Sequence, residues 1–352
     1  MQKAPAKGTV HVLALDGLRA ASILPVVWHH STPRPLEGAL GRGPLGVDLF
    51  FALSGFLITT LLLRERRRTK KVHLFSFFVR RSLRLFPLYY LTLAIYAVYA
   101  QWVLGGSTPP AAHFFKTLPF YATYTGNWFA TGAAHPILFA FSWSLATEEQ
   151  FYVLWAPLLR VLRGHLVPAL AMIALVTIDQ LAERGFILES GTFAHRIVTS
   201  FATPIGFGCL LAIACDHRGI GPFLRRVLGR TEVRVFVFAV SIAAFAFGIP
   251  LIAAHATFAV LVGCAAVEDQ SPLFGWARNP AVVWVGKISY GIYLLHVTVI
   301  ALVHRVFPAM HDSAWFVFAI AFPLSIALAS GTYLVFEKPL FGLRERFRAG
   351  IE

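Results

Sequence analysis

The chain has 352 residues, 57% of them hydrophobic and 14% charged, with a formal net charge of +14. Ordinary soluble domains carry about 25% charged residues, so with a mean hydropathy of +0.67 the composition argues against a water-soluble globule. The basic residues lie between apolar stretches, which points to membrane topology and away from nucleic acid as a partner.

Taken in chain order, apolar runs near the ~20 residues that a bilayer demands fall at about 12–30, 45–63, 84–104, 143–162, 166–182, 196–214, 234–249, 251–268, 282–304 and 314–336. Only Pro250 divides the seventh from the eighth. The pattern predicts an all-α polytopic membrane protein, a bundle of about ten transmembrane helices forming a single domain over 1–352. Sorting Lys and Arg by alternate loops places 24 of 31 on one side and six on the other, with Arg19 inside the first span. Positive residues mark the cytoplasmic side, so both termini are expected there. The first run is read as a retained helix, because Asp16 and Arg19 interrupt it and no small-x-small cleavage site follows. The basic stretch 64–84 holds Phe75, Phe77 and Phe78, as a helix lying on the inner membrane surface would. The segment 105–142 reads as an outer loop that dips into or covers the bundle. Cys209, Cys215 and Cys264 show no CxxC spacing, so neither a disulfide framework nor a metal site is expected.

Polar groups inside these spans are the candidates for chemistry, since ionisable residues are expensive there and face a cavity or a partner. On the first helix Arg19 and His30 are eleven residues apart, about 1100° of rotation, and so share a face to within roughly 20°. A structural reading competes: Arg19 snorkels to the inner surface beside Asp16, and His29 or His30 caps the outer end. The second span opens with Asp48 near its outer end and a small Ser54-Gly55 pair deeper; Asp48 reads as functional and Gly55 as a packing residue. Arg81 and Arg84 stand one turn apart at the inner end of the third span, a pairing suited to phosphate groups, although positive-inside bias also places arginines there. The fourth span enters from outside with Trp143, then Glu148 and Glu149 about one and a half turns in, in the same outer half of the membrane as His30. The topology therefore allows a histidine general base at His30, oriented and charge-balanced by a carboxylate of the Glu148-Glu149 pair. Ser289, Tyr293 and His296 follow at spacings of four and three along one face of the ninth span, beside Tyr290. Gly41 to Gly46 fits G-x-G-x-x-G, but between membrane helices it is no dinucleotide fingerprint.

This ordered set resembles the acyltransferase-3 family of membrane O-acyltransferases. The likeness is carried by Leu15-Asp16-Gly17-Leu18-Arg19-Ala20, the Arg19 to His30 spacing and Gly46 to Leu57. Arg81 and Arg84 before Pro87, Trp143-Ser144-Leu145, Glu148 to Tyr152, Ser289 to His296 and Phe336-Glu337-Lys338-Pro339 continue it. The resemblance implies a multi-pass protein of the inner (plasma) membrane. It would use acyl-coenzyme A, usually acetyl-coenzyme A, as co-substrate with no tightly bound cofactor, and acylate a hydroxyl, commonly on a cell-envelope glycan. It implies His30 as catalytic histidine with Glu148 as its acid, and Arg19, Arg81 and Arg84 as donor-binding residues. Asp48, Ser54, Trp143, Glu149, Ser289 and Tyr290 complete the expected substrate-binding set, Ser54, Tyr290 and Trp143 being candidate oxyanion donors. Some members carry a fused periplasmic domain; none is expected here, which leaves a separate periplasmic partner, a small acceptor, or action alone. The competing reading is a transporter or flippase in which Arg19, His30 and Glu148 form a proton or anion pathway.

Overall fold

Backbone amides in a hydrocarbon layer have no water to bond, so apolar runs of this length close their hydrogen bonds internally as helices. The computed structural model describes residues 12–32, 38–130, 137–340 and 342 and, among these, contains helices and no strand. In chain order α1 spans Leu13–His30, α2 Leu45–Thr69, α3 Leu74–Val98, α4 Pro109–Ala122 and α5 Gly126–Phe129. Next come α6 over Trp143–Val161, α7 Leu166–Glu183, α8 Phe193–Val198, α9 Thr203–Asp216 and α10 Ile220–Leu228. The last are α11 over Thr231–Ala246, α12 Leu251–Val267, α13 Pro280–Lys287, α14 Ser289–Val306 and α15 Ala314–Thr332.

Every apolar run singled out in the sequence holds a helix. Six helical segments are long and apolar enough to cross a membrane: Leu45–Thr69, Leu74–Val103, Leu166–Glu183, Phe193–Asp216, Ser289–Val306 and Ala314–Leu340. The protein is thus a multi-pass membrane protein, with six such spans among the described residues where the sequence suggested ten. The other four expected spans are helices with identifiable departures from that standard. Asp16 and Arg19 interrupt the 18 residues of α1, Glu148, Glu149 and Arg160 the 19 of α6, and α11 and α12 have only 16 and 17 residues. Between α11 and α12 the break combines Pro250 with Gly248, whose φ of +76° is open to glycine.

The stretch 64–84 does not form a separate surface helix. Instead α2 continues to Thr69, turns at Lys70 in a left-handed conformation, and α3 begins at Leu74. Buried Glu65 draws the turn together: its carboxylate accepts the His73 backbone N–H at 2.9 Å, meets the His73 ring nitrogen at 2.9 Å and takes Arg80 at 3.5 Å.

Two apolar cores flank α2. Val47, Phe51, Ile58 and Leu62 enter one together with α3, α4, α6 and α14, whereas Leu49, Ala52, Leu53 and Phe56 enter the other with α12. Helices α2 and α9 approach closely, so that a Cβ on Gly55 would strike the Ile205 carbonyl and one on Gly208 the Ala52 carbonyl. Small residues at such crossings let helix backbones touch. Gly55→Leu should therefore destabilise the bundle by about 1–3 kcal/mol or more through overpacking, read as a lower melting temperature in detergent. Gly331→Ala, where a Cβ meets nothing within 4 Å, should leave it unchanged or slightly raised.

Polar ties at the helix ends fix the direction of the chain. Arg42, before α2, donates to the carbonyls of Phe245, Ala246 and Phe247 at the end of α11. At the other end of α2, Arg66 donates to the carbonyls of Leu159, Leu162 and Gly164, and Arg67 pairs with Asp216, which also receives His165. Lys3, Lys7, Arg34, Arg344, Arg346 and Arg348, which enter the charge sorting, lie outside the described residues, as do both chain ends.

Candidate functional site

One narrow cavity of about 90 Å³ gathers side chains from five helices: Arg19 of α1, Ser54 of α2, Arg81 and Arg84 of α3, Glu148 of α6, and Ser289, Tyr290 and Tyr293 of α14. Its wall on α2 runs from Val47 to Leu57, ~15 Å of helix. The anchor is Glu148. Its Oε1 accepts the Ser54 hydroxyl across the helix crossing and the Tyr152 hydroxyl one turn along α6. The ring of Tyr152, fully buried, in turn carries the Arg81 guanidinium 4.7 Å from its centroid, a cation–π contact strengthened by desolvation. Arg19 donates to Asp16 at 2.7 Å while still lining the cavity.

Two expected oxyanion donors are already committed. Ser54 donates to Glu148, and the Tyr290 hydroxyl donates to the Leu85 carbonyl at 2.7 Å, tying α14 to α3. The Tyr293 hydroxyl donates to the Phe141 carbonyl at 2.8 Å, and Ser144 lies 2.5 Å from its oxygen as the complementary donor. These bonds fix the N-terminal end of α6 on α14.

Among the described residues no hydrogen bond or ion pair joins His30 to Glu148, the pair that the resemblance implies. His30 Nδ1 lies 2.9 Å from the Val26 carbonyl, and its ring packs edge-to-face on His296 with centroids 4.8 Å apart. A carbonyl can only accept, so Nδ1 carries the proton and Nε2 the lone pair. His296 is fully buried, its Nδ1 2.6 Å from the Tyr293 carbonyl and its Nε2 without a hydrogen-bond partner among the described residues. The imidazole pair thus adjoins Tyr293, which lines the cavity, and the Tyr293 and His296 centroids are 5.6 Å apart.

Of the expected catalytic and substrate-binding residues, Arg19, Ser54, Arg81, Arg84, Glu148, Ser289 and Tyr290 share the cavity, and four do not. Asp48 faces the other core, where its carboxylate is 3.2 Å from buried His255 on α12. Glu149 is rotated off the wall, its Oε1 buried and without a hydrogen-bond partner among the described residues. Trp143 lines a second cavity behind the first turn of α6, and His30 stands beyond His296. The reason is common to all: 100° per residue turns neighbouring positions to different faces, and which face meets the cavity depends on the neighbours. Tyr152, which sequence reasoning passed over, had a signal in its i+4 spacing from Glu148. Among the described residues no group of three or more His, Cys, Asp or Glu side chains could hold a metal ion.

A family model described as an acyltransferase domain matches residues 12–334. The chain is 25% identical over 329 residues to the peptidoglycan O-acetyltransferase OatA of Listeria monocytogenes, covering 87% of this chain and 52% of that protein. It is 26% identical over 352 residues to the O-acetyltransferase OatA of Staphylococcus aureus, covering 93% and 56%. To the putative peptidoglycan O-acetyltransferase YrhL of Bacillus subtilis it is 27% identical over 360 residues, covering 94% and 55%. The chain spans about half the length of the curated relatives it matches. No solved structure matches it.

Proposed function

Because the chain belongs to the acyltransferase-3 family, we propose that it is an inner-membrane O-acyltransferase. It moves an acetyl or other short acyl group from acyl-coenzyme A to a hydroxyl of a cell-envelope glycan. The reading includes ten membrane-crossing helices and both chain ends in the cytoplasm. It is supported by a helix at each apolar run, by the polar ties that alternate between the two ends of the bundle, and by the acetyltransferase relatives. The observation that carries it is the cavity joining Arg19, Arg81 and Arg84 to Glu148 inside the helix bundle. A bundle serving only as structure has no use for three guanidinium groups around one pocket.

In this mechanism Arg81, Arg84 and Arg19 hold the donor phosphates by charge-assisted bonds. At about 90 Å³ the cavity is below the ~300 Å³ at which pockets begin to enclose a drug-sized ligand, so it suits the acyl thioester end and not the bulk of coenzyme A. His30 takes the acceptor proton on Nε2, the hydroxyl oxygen bonds to the thioester carbonyl, the carbon–sulfur bond breaks, and the thiolate recovers the proton. With Ser54 and Tyr290 committed elsewhere, the donor that stabilises the oxyanion must come from another group or from their rearrangement.

The test is acceptor-dependent thiol release from acetyl-coenzyme A by membranes containing the chain. Arg81→Ala and Arg84→Ala should each raise the donor KM about tenfold to a hundredfold, since a hydrogen bond to a charged group is worth about 1.5–3 kcal/mol, with a smaller effect on kcat. A transporter would release no thiol, and that result with acetyl and longer donors alike would overturn the proposal.

A further inference from the structure

The first two turns of α6 form a wall with two sides. Ser144, Leu145 and Glu148 face the narrow cavity, while Trp143 and Thr147 face a second one of about 250 Å³. Residues four apart share a helix face, so the same helix serves both cavities.

The second cavity is built from outer connections. Asn127 of α5 donates to Gln150 at 3.0 Å and to Ser200 at 3.1 Å; Ser200 also receives the Trp128 indole N–H at 2.6 Å and donates to the Arg196 carbonyl at 2.6 Å. Gln150 closes the network by donating to Asn127 and to the Tyr124 carbonyl. A polar floor satisfied in this way holds its shape before any ligand arrives. Above it lie Trp143, whose ring packs edge-to-face on Phe51 at 6.0 Å between centroids, and Arg196. The Trp143 side chain is exposed at 45% although it opens a helix in a membrane bundle. Arg196 is fixed by the carbonyls of Trp128 at 3.0 Å and Gly191 at 2.9 Å and, among the described residues, pairs with no carboxylate. Carbonyls orient a guanidinium but do not neutralise it, and the described residues lining the cavity include no Asp or Glu.

We propose that this second cavity is the acceptor subsite, and that it selects a saccharide bearing a carboxylate: the sugar face stacks on Trp143, and the carboxylate meets Arg196. Resting on the O-acyltransferase reading, it adds the acceptor's class and place of entry. An aromatic face is where a ring's apolar side packs, a lone cation in a wall free of acids favours an anion, and the volume fits one ring. The acceptor hydroxyl then approaches around the first turn of α6 from the side opposite the donor.

The test uses the full chain in detergent and two oligosaccharides differing only in a hexuronic acid against the neutral hexose. Binding is followed by calorimetry, and acetyl transfer is measured separately. Wild type should bind the acidic sugar about tenfold tighter. Arg196→Gln should remove that preference, Arg196→Lys should keep part of it, and Trp143→Ala should weaken both sugars. Equal binding of both sugars by wild type, or equal weakening of both by Arg196→Gln, would overturn the subsite. Selective binding without acetyl transfer from any donor would leave the subsite standing and overturn the activity it rests on.

Discussion

Membranes carrying His30→Gln are expected to transfer acetyl groups about 10²–10⁴-fold more slowly than wild type, the range that a positioned general base contributes. The geometry gives the reason. With Nδ1 spent on the Val26 carbonyl, Nε2 is the only basic atom the ring can offer, and glutamine supplies a donor for the same carbonyl but no base. Expression and melting temperature should therefore change little. His29, whose ring stands against His30 at 5.3 Å between centroids and nearly perpendicular to it, serves as the control, and His29→Gln should keep most of the activity. If His29→Gln lost turnover and His30→Gln kept it, the choice of base would be wrong. Thiol release and acetyl-glycan formation need to be measured together, because loss of acceptor activation removes both while uncoupling removes only the second.

Glu148→Gln should lower kcat at least tenfold without weakening the donor. The amide oxygen can still accept from Ser54 and Tyr152, so the wall keeps its shape, but the cavity loses the carboxylate that lines it among Arg19, Arg81 and Arg84. Added positive charge favours the donor phosphates, so KM for acyl-coenzyme A should hold or fall. It disfavours the imidazolium that forms on His30 in the transition state, so kcat should fall. Glu148→Leu is expected to act differently. It strands the fully buried Tyr152 hydroxyl and the Ser54 hydroxyl, each costing about 1–3 kcal/mol, and should appear first as lost folded protein. A Gln variant with wild-type kcat would reduce Glu148 to a packing anchor, and steady-state kinetics on matched amounts of folded protein decide it.

Much of the site is legible in the sequence because membrane burial makes charge conspicuous. Arg19, Arg81, Arg84 and Glu148 stand out in apolar surroundings, and all four line one cavity. Asp48 is equally conspicuous and belongs elsewhere: His255, about two hundred residues away, has no signal in the sequence to claim it. Glu65 shows the same limit in the fold. It reads as one more charge in a basic stretch, yet it is buried at the turn between α2 and α3, where it ties His73 and Arg80 at the start of the continuous helix that carries Arg81 and Arg84.

The sequence by itself determined that the apolar runs are helical, because bilayer thickness and the rise per residue are set by physics that needs no neighbours; the segment 105–142, expected as a loop, instead holds α4, whose Ala111, Phe114 and Tyr121 are buried. Tertiary structure alone decided the azimuth: that His30 rests on His296 and not on Glu148, that Glu148 is claimed by Ser54 and Tyr152, and that Trp143 and Glu148 open on different cavities. Rotation about a helix axis is settled by the packing of its neighbours, here by glycines such as Gly55 and Gly208 that let backbones meet, and no local pattern carries that information.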